Sequence, residues 1–520
     1  MEKWGIAAII IVVIIIIAGV AAYFAMTPAP QQPEKEQLVI GVTDKISDLD
    51  PANAYDFYTW EVLNNVMDGL VKYKPGTANI EPAIAKSWDV NDNATVWTFH
   101  LRNDVKYPDG TVLKASDVVW SIKRVMTIQG DPSWLVTDFV KDVSAPDDTT
   151  VVFTLEHPTS YFLSLLTDPP YFPVSREYNP TEIQSDQTAG GVGPYMITKW
   201  VRDQELDLEA NPYYYGDQPK IKKVVIRFYQ DASTMRLALE NGEIDIAWRT
   251  LRPTDIKDLQ NEGKYTVIEV PSAYIRYICM NVANPPTNDV RVRQALAYAI
   301  DRQQIADRVF QGTVEPLYSL IPNGMWSHKD VFKDKYGSSP NLDEAKSLLQ
   351  QAGYSENNKL QIQLWYTPTH YGDTEADIAQ LLKEQWEATG MIEVTIKSAE
   401  WQTYLDYARK GQMQVYMFGW YPDYLDPDDY TTPFLQYPAN KWAGTQYNDS
   451  EMNNILAQAQ QLSDQNERTQ LYIQAQEKLA EDVPYIPFIQ GKLYIVTSPD
   501  VKGITIGPDM IFHYDLVYFE

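Results

Sequence analysis

Cysteine is almost missing from this 520-residue chain: Cys279 stands alone. No intramolecular disulfide can form, and no Cys-rich metal cluster can be built. Its neighbours Tyr277, Ile278 and Met280 mark a buried strand thiol rather than a reactive one. Histidine is scarce too. The five (His100, His157, His328, His370 and His513) are scattered and form no HxxxH or HExxH pair, so no dedicated His-based metal site is expected. Positive charge is in deficit, with 43 Lys and Arg against 70 Asp and Glu and a net charge of −27. That balance argues against nucleic acid or an anionic lipid surface as partner. No GxSxG elbow, GxGxxG fingerprint or Walker loop occurs. The glycines of GGVGPY (190–195) precede a strand instead of a helix bearing Lys or Ser, which fits a hinge or a close backbone approach to a ligand.

What is present describes an ordinary globular protein. Hydrophobic residues make up 44% and charged ones 22%, and the length exceeds what one core usually fills, so two or three domains are expected. Tyr (35) and Trp (14) dominate over Phe (15), a skew toward aromatics with a polar handle that suits ligand pockets as well as cores. Trp4 to Met26 is an apolar run without an internal charge. As a helix rising about 1.5 Å per residue it crosses a bilayer core of about 30 Å. It outlasts a secretory h-region and no convincing cleavage site follows, so residues 1–26 read as an uncleaved signal anchor. Lys3 on the short side places the bulk outside. Residues 27–37, rich in Pro and Gln, read as an extended tether.

Beyond the tether, LVIGVT, 94–101 and 150–155 read as strands, and Asp117 to Met126 as a helix capped by Ser116. In the second half the period switches. KLQIQLWYT (359–367), MIEVTIKS and QVYMF (414–418) alternate with two helices ended by Gly390 and Gly411, which predicts a parallel α/β sheet. Helices over 449–464 and 467–481, a strand PYIPFI and a β-rich ending complete the chain.

The segment QVYMFGWYPDYLDPDDY (414–430) places one acid, Asp423, among Trp420, Tyr421 and Tyr424. A carboxylate beside aromatic faces can hold a ligand cation and sandwich its body. The plainer reading is a polar turn after a strand. Ligands of parallel sheets bind beyond the carboxyl ends of the strands, which favours a cleft position. Asp426, Asp428 and Asp429 invite a calcium reading, but the Gly and Glu positions of an EF-hand are missing. No pattern singles out a carboxylate pair for glycoside hydrolysis. Arg291 and Arg293 read as a solvated or domain-linking face.

Several stretches together resemble the extracellular solute-binding proteins of the peptide/nickel group, family 5, which feed ABC importers. They are LDPANAYDFYTWEVLNNVMDGL (49–70), LRNDVKYPDGTVLKASDVVWSIKRVM (101–126), GGVGPYMI (190–197), NPYYYGDQPKIKKVVIRFYQDASTMRLALENGEIDIA (211–247), NDVRVRQALAYAIDRQQIADRVFQG (288–312) and GWYPDYLDPDDY (419–430). The resemblance implies an α/β fold like that of the periplasmic binding proteins (type II, cluster C-like). In it two lobes built from three domains close on a cleft, here behind one N-terminal transmembrane helix. It implies a discontinuous domain I (38–70, 196–275 and 489–520), domain II (71–195) and domain III (276–488).

By the same resemblance, Asp423 of the W-x-x-D motif pairs with a peptide's α-ammonium, and Trp420 is the motif's Trp. Tyr421 and Pro422 stand where relatives often carry small residues. Tyr55 belongs to a cleft-lining stretch, Gly193 and Tyr195 lie near a lobe crossing, and Trp248 and Arg249 are further cleft candidates. Arg249 is a candidate partner for a ligand carboxylate, a surface side chain being the commoner reading. His370 is the nearest candidate for the His of nickel-chelate members. The implied function is peptide capture without chemistry, by a monomer that hands its ligand to permease subunits and uses no cofactor or metal. The alternatives are an oligosaccharide-binding member of the same family and a membrane-anchored hydrolase.

Overall fold

The computed structural model describes residues 35–368 and 370–520. The expected signal anchor and nearly all of the tether lie outside the described residues. The tether ends earlier than expected, because Gln37 already pairs within the first strand. Among the described residues no helix is long and apolar enough to cross a membrane.

One mixed sheet of eleven strands organises the molecule. Its order runs Ile392–Ser398, Leu360–Tyr366, Val415–Trp420, Thr266–Met280, Tyr485–Thr497, Ile246–Ala247, Gln37–Val42, Lys223–Phe228, Glu205–Ala210 and Tyr195–Val201, with Val314–Pro316 added beside Tyr485–Thr497. The two long central strands pair antiparallel from Thr266 with Thr497 to Cys279 with Tyr485, with a register shift between Pro271 and Ile275. Each thereby serves two apolar cores. One core is built from residues 38–248, Tyr424 and 495–517, the other from the remainder of 273–489 and Met510. They form the interiors of two lobes joined along those strands. A separate four-stranded antiparallel sheet, with order Ala85–Val90, Val96–Leu101, Thr150–Leu155 and Val140–Asp147, belongs to the first lobe.

The alternating strand–helix pattern of the second half gives three parallel strands. Leu360–Tyr366 lies between Ile392–Ser398 and Val415–Trp420, parallel to both. The other edge of Val415–Trp420 pairs antiparallel with Ile275–Met280, which makes the sheet mixed. The expected helix 117–126 spans Ala115–Ile128, and Ser116 lies inside it instead of capping it. The Asp117 carboxylate accepts the Lys114 amide at 2.9 Å and starts the helix two residues earlier. The β-rich ending is mostly irregular. Only Val501–Lys502 and Tyr518–Phe519 pair, with one isolated bridge, while buried Phe512 and Tyr514 fill the first core. Cys279 is fully buried, as its neighbours indicate. Arg293 is not a solvated residue: it is 7% exposed and its guanidinium donates to the Asp482, Thr287 and Asn288 carbonyls.

Candidate functional site

The loop that leaves the carboxyl end of Val415–Trp420 lies against the first lobe. Asp426 caps the short helix Pro427–Tyr430 by accepting the Asp428 amide at 3.0 Å. This turn folds Asp429 back, so that one of its oxygens accepts both the Asp423 amide and the Trp420 indole N–H at 3.1 Å. The position of Asp423 is therefore set by an acid six residues away. Across the gap, the Tyr55 hydroxyl donates to Asp423 Oδ2 at 2.7 Å. The turn before the helix Phe57–Val66, capped by Asp56 accepting from the Thr59 amide, holds Tyr55 there.

Asp423 is half-buried. Burial pushes its carboxyl up to about 7, and the Tyr55 hydrogen bond only partly opposes this. Burial and the neighbouring Asp423 charge also push Asp429 well up. A third acid, Asp168 of the first lobe, is 4% exposed, and its carboxyl is raised by burial and by the charges of Asp423 and Asp429. One oxygen of Asp168 and one of Asp429 are buried without any hydrogen-bond partner. Among the described residues none of the three carboxyls forms an ion pair with a cation.

The aromatics do not surround Asp423 as the local sequence suggests. Tyr421 is stacked between Tyr274, with ring centres 4.4 Å apart, and Phe57 of the first lobe at 5.0 Å. Trp420 spends its N–H on Asp429 and packs edge-on against Phe434. Tyr424 turns away into the first core. Its ring stacks on Tyr161 at 5.5 Å with only 3° between planes, and both hydroxyls donate to Asp428, at 2.9 and 3.0 Å. Arg468 completes this clasp. It lies over the Tyr161 ring at 5.1 Å and holds Asp426 through two bonds of 2.9 and 2.6 Å. Asp426 and Asp428 are thus committed to Arg468 and to hydroxyl groups. Among the described residues no group of three or more His, Cys, Asp or Glu side chains is placed to hold a metal ion.

Arg249 is not a surface residue. It is 6% exposed, with its guanidinium 4.4 Å from the Phe57 ring centre and 4.9 Å from that of Tyr421. Its Nε donates to Asp44 at 2.8 Å, and Nη1 is buried without an acceptor. Burial works against the charge, but Asp44, Tyr421 and Glu61 more than offset it and hold the group above its ordinary value. Trp248 lies within the first core with its N–H shared by both Glu61 oxygens at 3.0 Å. Gly193 makes a close approach, but to its own chain: a Cβ would meet the Val66 carbonyl carbon and the Met67 nitrogen at 2.5 Å. Tyr195 is fully buried and donates to the Ile221 carbonyl at 3.0 Å. None of these contacts joins Trp248, Gly193 or Tyr195 to Asp423. His370 lies flat on Trp401 at 3.6 Å.

The structure thus groups Asp423, Trp420, Tyr421 and Tyr55, and sets Arg249 behind Tyr421. Sequence reading missed Asp168, and weighed Asp429 only as a calcium ligand. The available signal for Asp168 was an acid without a basic neighbour in the run SLLTDPPYF (164–172).

Comparison with known proteins follows the same lines. The family model of the bacterial extracellular solute-binding proteins, family 5 (middle region), matches residues 79–442. The chain is 29% identical over 488 residues to the probable D,D-dipeptide-binding periplasmic protein DdpA of Escherichia coli K12, covering 91% of this chain and 92% of that one. It is 28% identical over 481 residues to the dipeptide-binding protein of the same strain, covering 87% and 88%. Among solved structures it is similar to the ABC transporter-associated periplasmic binding protein DppA of Helicobacter pylori in complex with the peptide STSA. The TM-score is 0.82 at 27% identity, over 93% of this chain and 98% of that one.

Proposed function

Because the chain belongs to the bacterial extracellular solute-binding proteins of family 5, whose members are binders and not enzymes, we propose that it captures dipeptides or oligopeptides outside the cytoplasm. It then delivers them to the permease of an ABC importer. The observation that carries this reading is the uncompensated acid at the lobe junction. Asp423 takes a hydrogen bond from Tyr55 but has no cationic partner among the described residues. A peptide's α-ammonium supplies the missing charge, in a bond worth about 1.5–3 kcal/mol. The dipeptide-binding relatives and the peptide in the Helicobacter pylori structure point the same way. A neutral sugar can donate hydroxyl hydrogen bonds to the acid but brings no charge to balance it.

In this reading domain I (38–70, 196–275, 489–520) and domain II (71–195) form one lobe and domain III (276–488) the other. Capture shifts an open–closed equilibrium of a monomer tethered by its N-terminal helix. Tyr421, stacked between Phe57 and Tyr274, closes one side of the ligand space. Arg249 Nη1 is the donor for the ligand's carboxylate end. Calorimetry on the full chain tests the reading. Ala-Ala binds and propionyl-Ala does not, since the two differ only in the α-ammonium group. Equal binding of the two, or binding of a maltooligosaccharide in their place, sinks it.

A further inference from the structure

Two tripeptides of the chain have the form Asn-x-Ser/Thr with x other than proline: Asn93-Ala94-Thr95 and Asn448-Asp449-Ser450. A third, Asn179-Pro180-Thr181, is excluded by its proline. Such triplets accept N-linked glycans in extracytoplasmic proteins. They also arise by chance, so the fold decides which copy can serve.

Asn93 sits at the tip of a hairpin. The strands Ala85–Val90 and Val96–Leu101 pair antiparallel, with Val90 opposite Trp97. Between them the Ala94 amide donates to the Asn91 carbonyl at 3.0 Å, closing a β-turn with Asp92 and Asn93 at its centre. The Asn91 side-chain oxygen accepts the Thr95 and Val96 amides, each at 2.9 Å, and fixes the turn. Asn91, Asp92 and Asn93 are all exposed. The Thr95 hydroxyl takes a hydrogen bond from Asn91 Nδ2 at 3.1 Å and donates to Asn93 Oδ1 at 2.8 Å. The amide and the hydroxyl that define the acceptor are thus presented together at the surface. Asn93 Nδ2 itself has no acceptor among the described residues.

The other triplet is built differently. Asp449 caps the helix Ser450–Gln461 by accepting the Met452 amide at 2.9 Å, and Ser450 is the first residue of that helix. Asn448 Oδ1 takes the Asn453 side-chain amide at 3.0 Å instead of the serine hydroxyl. A transferase would have to unwind the start of the helix to read this triplet.

We propose that Asn93 carries an N-linked glycan and that Asn448 stays bare. The extracellular location of the family is all that this requires, with or without a peptide ligand. Transfer joins Asn93 Nδ2 to the anomeric carbon of a sugar and breaks that carbon's bond to the phosphate oxygen of a lipid-linked glycosyl donor. The lipid phosphate leaves, together with one proton from Nδ2. The strand beside the turn gains protection. Ala85–Val90 is the outer strand of the four-stranded sheet, and Val90 at its end is 47% exposed. A bulky, hydrated group on residue 93 keeps foreign strands off that edge.

Peptide mass spectrometry on the full chain, isolated from the cells that naturally make it, tests this. Trypsin cuts after Lys86 and Arg102 and releases residues 87–102 as one peptide. That peptide should carry a sugar mass that fragmentation assigns to Asn93, while the peptide containing Asn448 keeps its unmodified mass. In the same cells Asn93→Gln and Thr95→Ala should lose the sugar, and Thr95→Ser, which keeps a hydroxyl, should retain it. A bare 87–102 peptide from the unaltered protein overturns the proposal. So does a sugar on Asn448 with Asn93 bare, or a sugar on 87–102 that survives Asn93→Gln. Each of these results leaves peptide capture, read by calorimetry, untouched.

Discussion

Two groups of buried acids in this protein obey the same electrostatics and have opposite fates. In the first lobe Asp50 is fully buried, but Arg124 meets it with two bonds of 2.7 and 2.5 Å. At the lobe junction Asp168, Asp423 and Asp429 are buried or half-buried with no cation among their partners. The first arrangement completes itself on folding. In the proposed reading the second completes only when a ligand enters. Burying a carboxylate is costly in both places, and the difference is what the proposed peptide-binding role of Asp423 rests on.

The comparison can be broken most forcefully on its self-sufficient side. Arg124→Met leaves Asp50 buried and uncompensated and should destabilise the protein by about 3–5 kcal/mol, measured by urea denaturation. A loss below about 1 kcal/mol would show that the pair is not the closed unit its geometry implies. On the other side, Asp423→Asn should leave the fold intact and weaken Ala-Ala binding by roughly one to two orders of magnitude by calorimetry. Unchanged affinity would remove Asp423 from the ammonium-binding role.

Acidity should separate the two groups as well. The Asp423 carboxyl titrates near 7 in the folded, ligand-free protein, above the value near 3.9 of an unfolded chain. Its contribution to stability is therefore fully present below about pH 4 and is lost as the pH rises through about 7. Peptide affinity runs the other way, weakening by up to about tenfold for each unit below pH 7, because binding must first expel the proton. A binding profile flat from pH 5 to 7.5 would contradict this. A smaller effect is expected from Asp168→Asn in the absence of ligand. Removing a charge that has no partner should stabilise the protein at pH 8 by about 1 kcal/mol, read as a raised unfolding midpoint. The least is expected of Tyr161→Phe, which deletes one hydroxyl bond to Asp428 and keeps the stack on Tyr424. It should cost about 0.5–1.5 kcal/mol, and a null result would mean that stacking alone holds the clasp.

How much of this was legible in the sequence follows from the range of the forces involved. The parallel triplet around Leu360–Tyr366 was readable because strand and helix periods are local. Asp423 and Tyr55 were found through a motif and a resemblance, and the two meet at 2.7 Å. Tyr424 was misassigned because its stacking partner lies 263 positions earlier in the chain, at Tyr161. Arg249 read as a surface side chain, since nothing nearby in sequence reveals the aromatic rings of Phe57 and Tyr421. Gly193 signalled a close approach correctly, but a glycine does not say what approaches, and here it is the end of a helix of its own chain. Asp168 shows the limit most clearly, because the lack of a partner is a property of three dimensions.

The strand Tyr485–Thr497 carries a consequence for how this protein is made. It sits in the middle of the eleven-stranded sheet, between Thr266–Met280 and Ile246–Ala247, yet it follows both of them far along the chain. Until it emerges, the sheet is two separate halves, each ending in an open edge ready for a foreign strand. Closing the sheet requires contacts between segments far apart in the chain, which slows folding. A polypeptide truncated before Tyr485 should thus be an aggregation hazard instead of a one-lobed fragment.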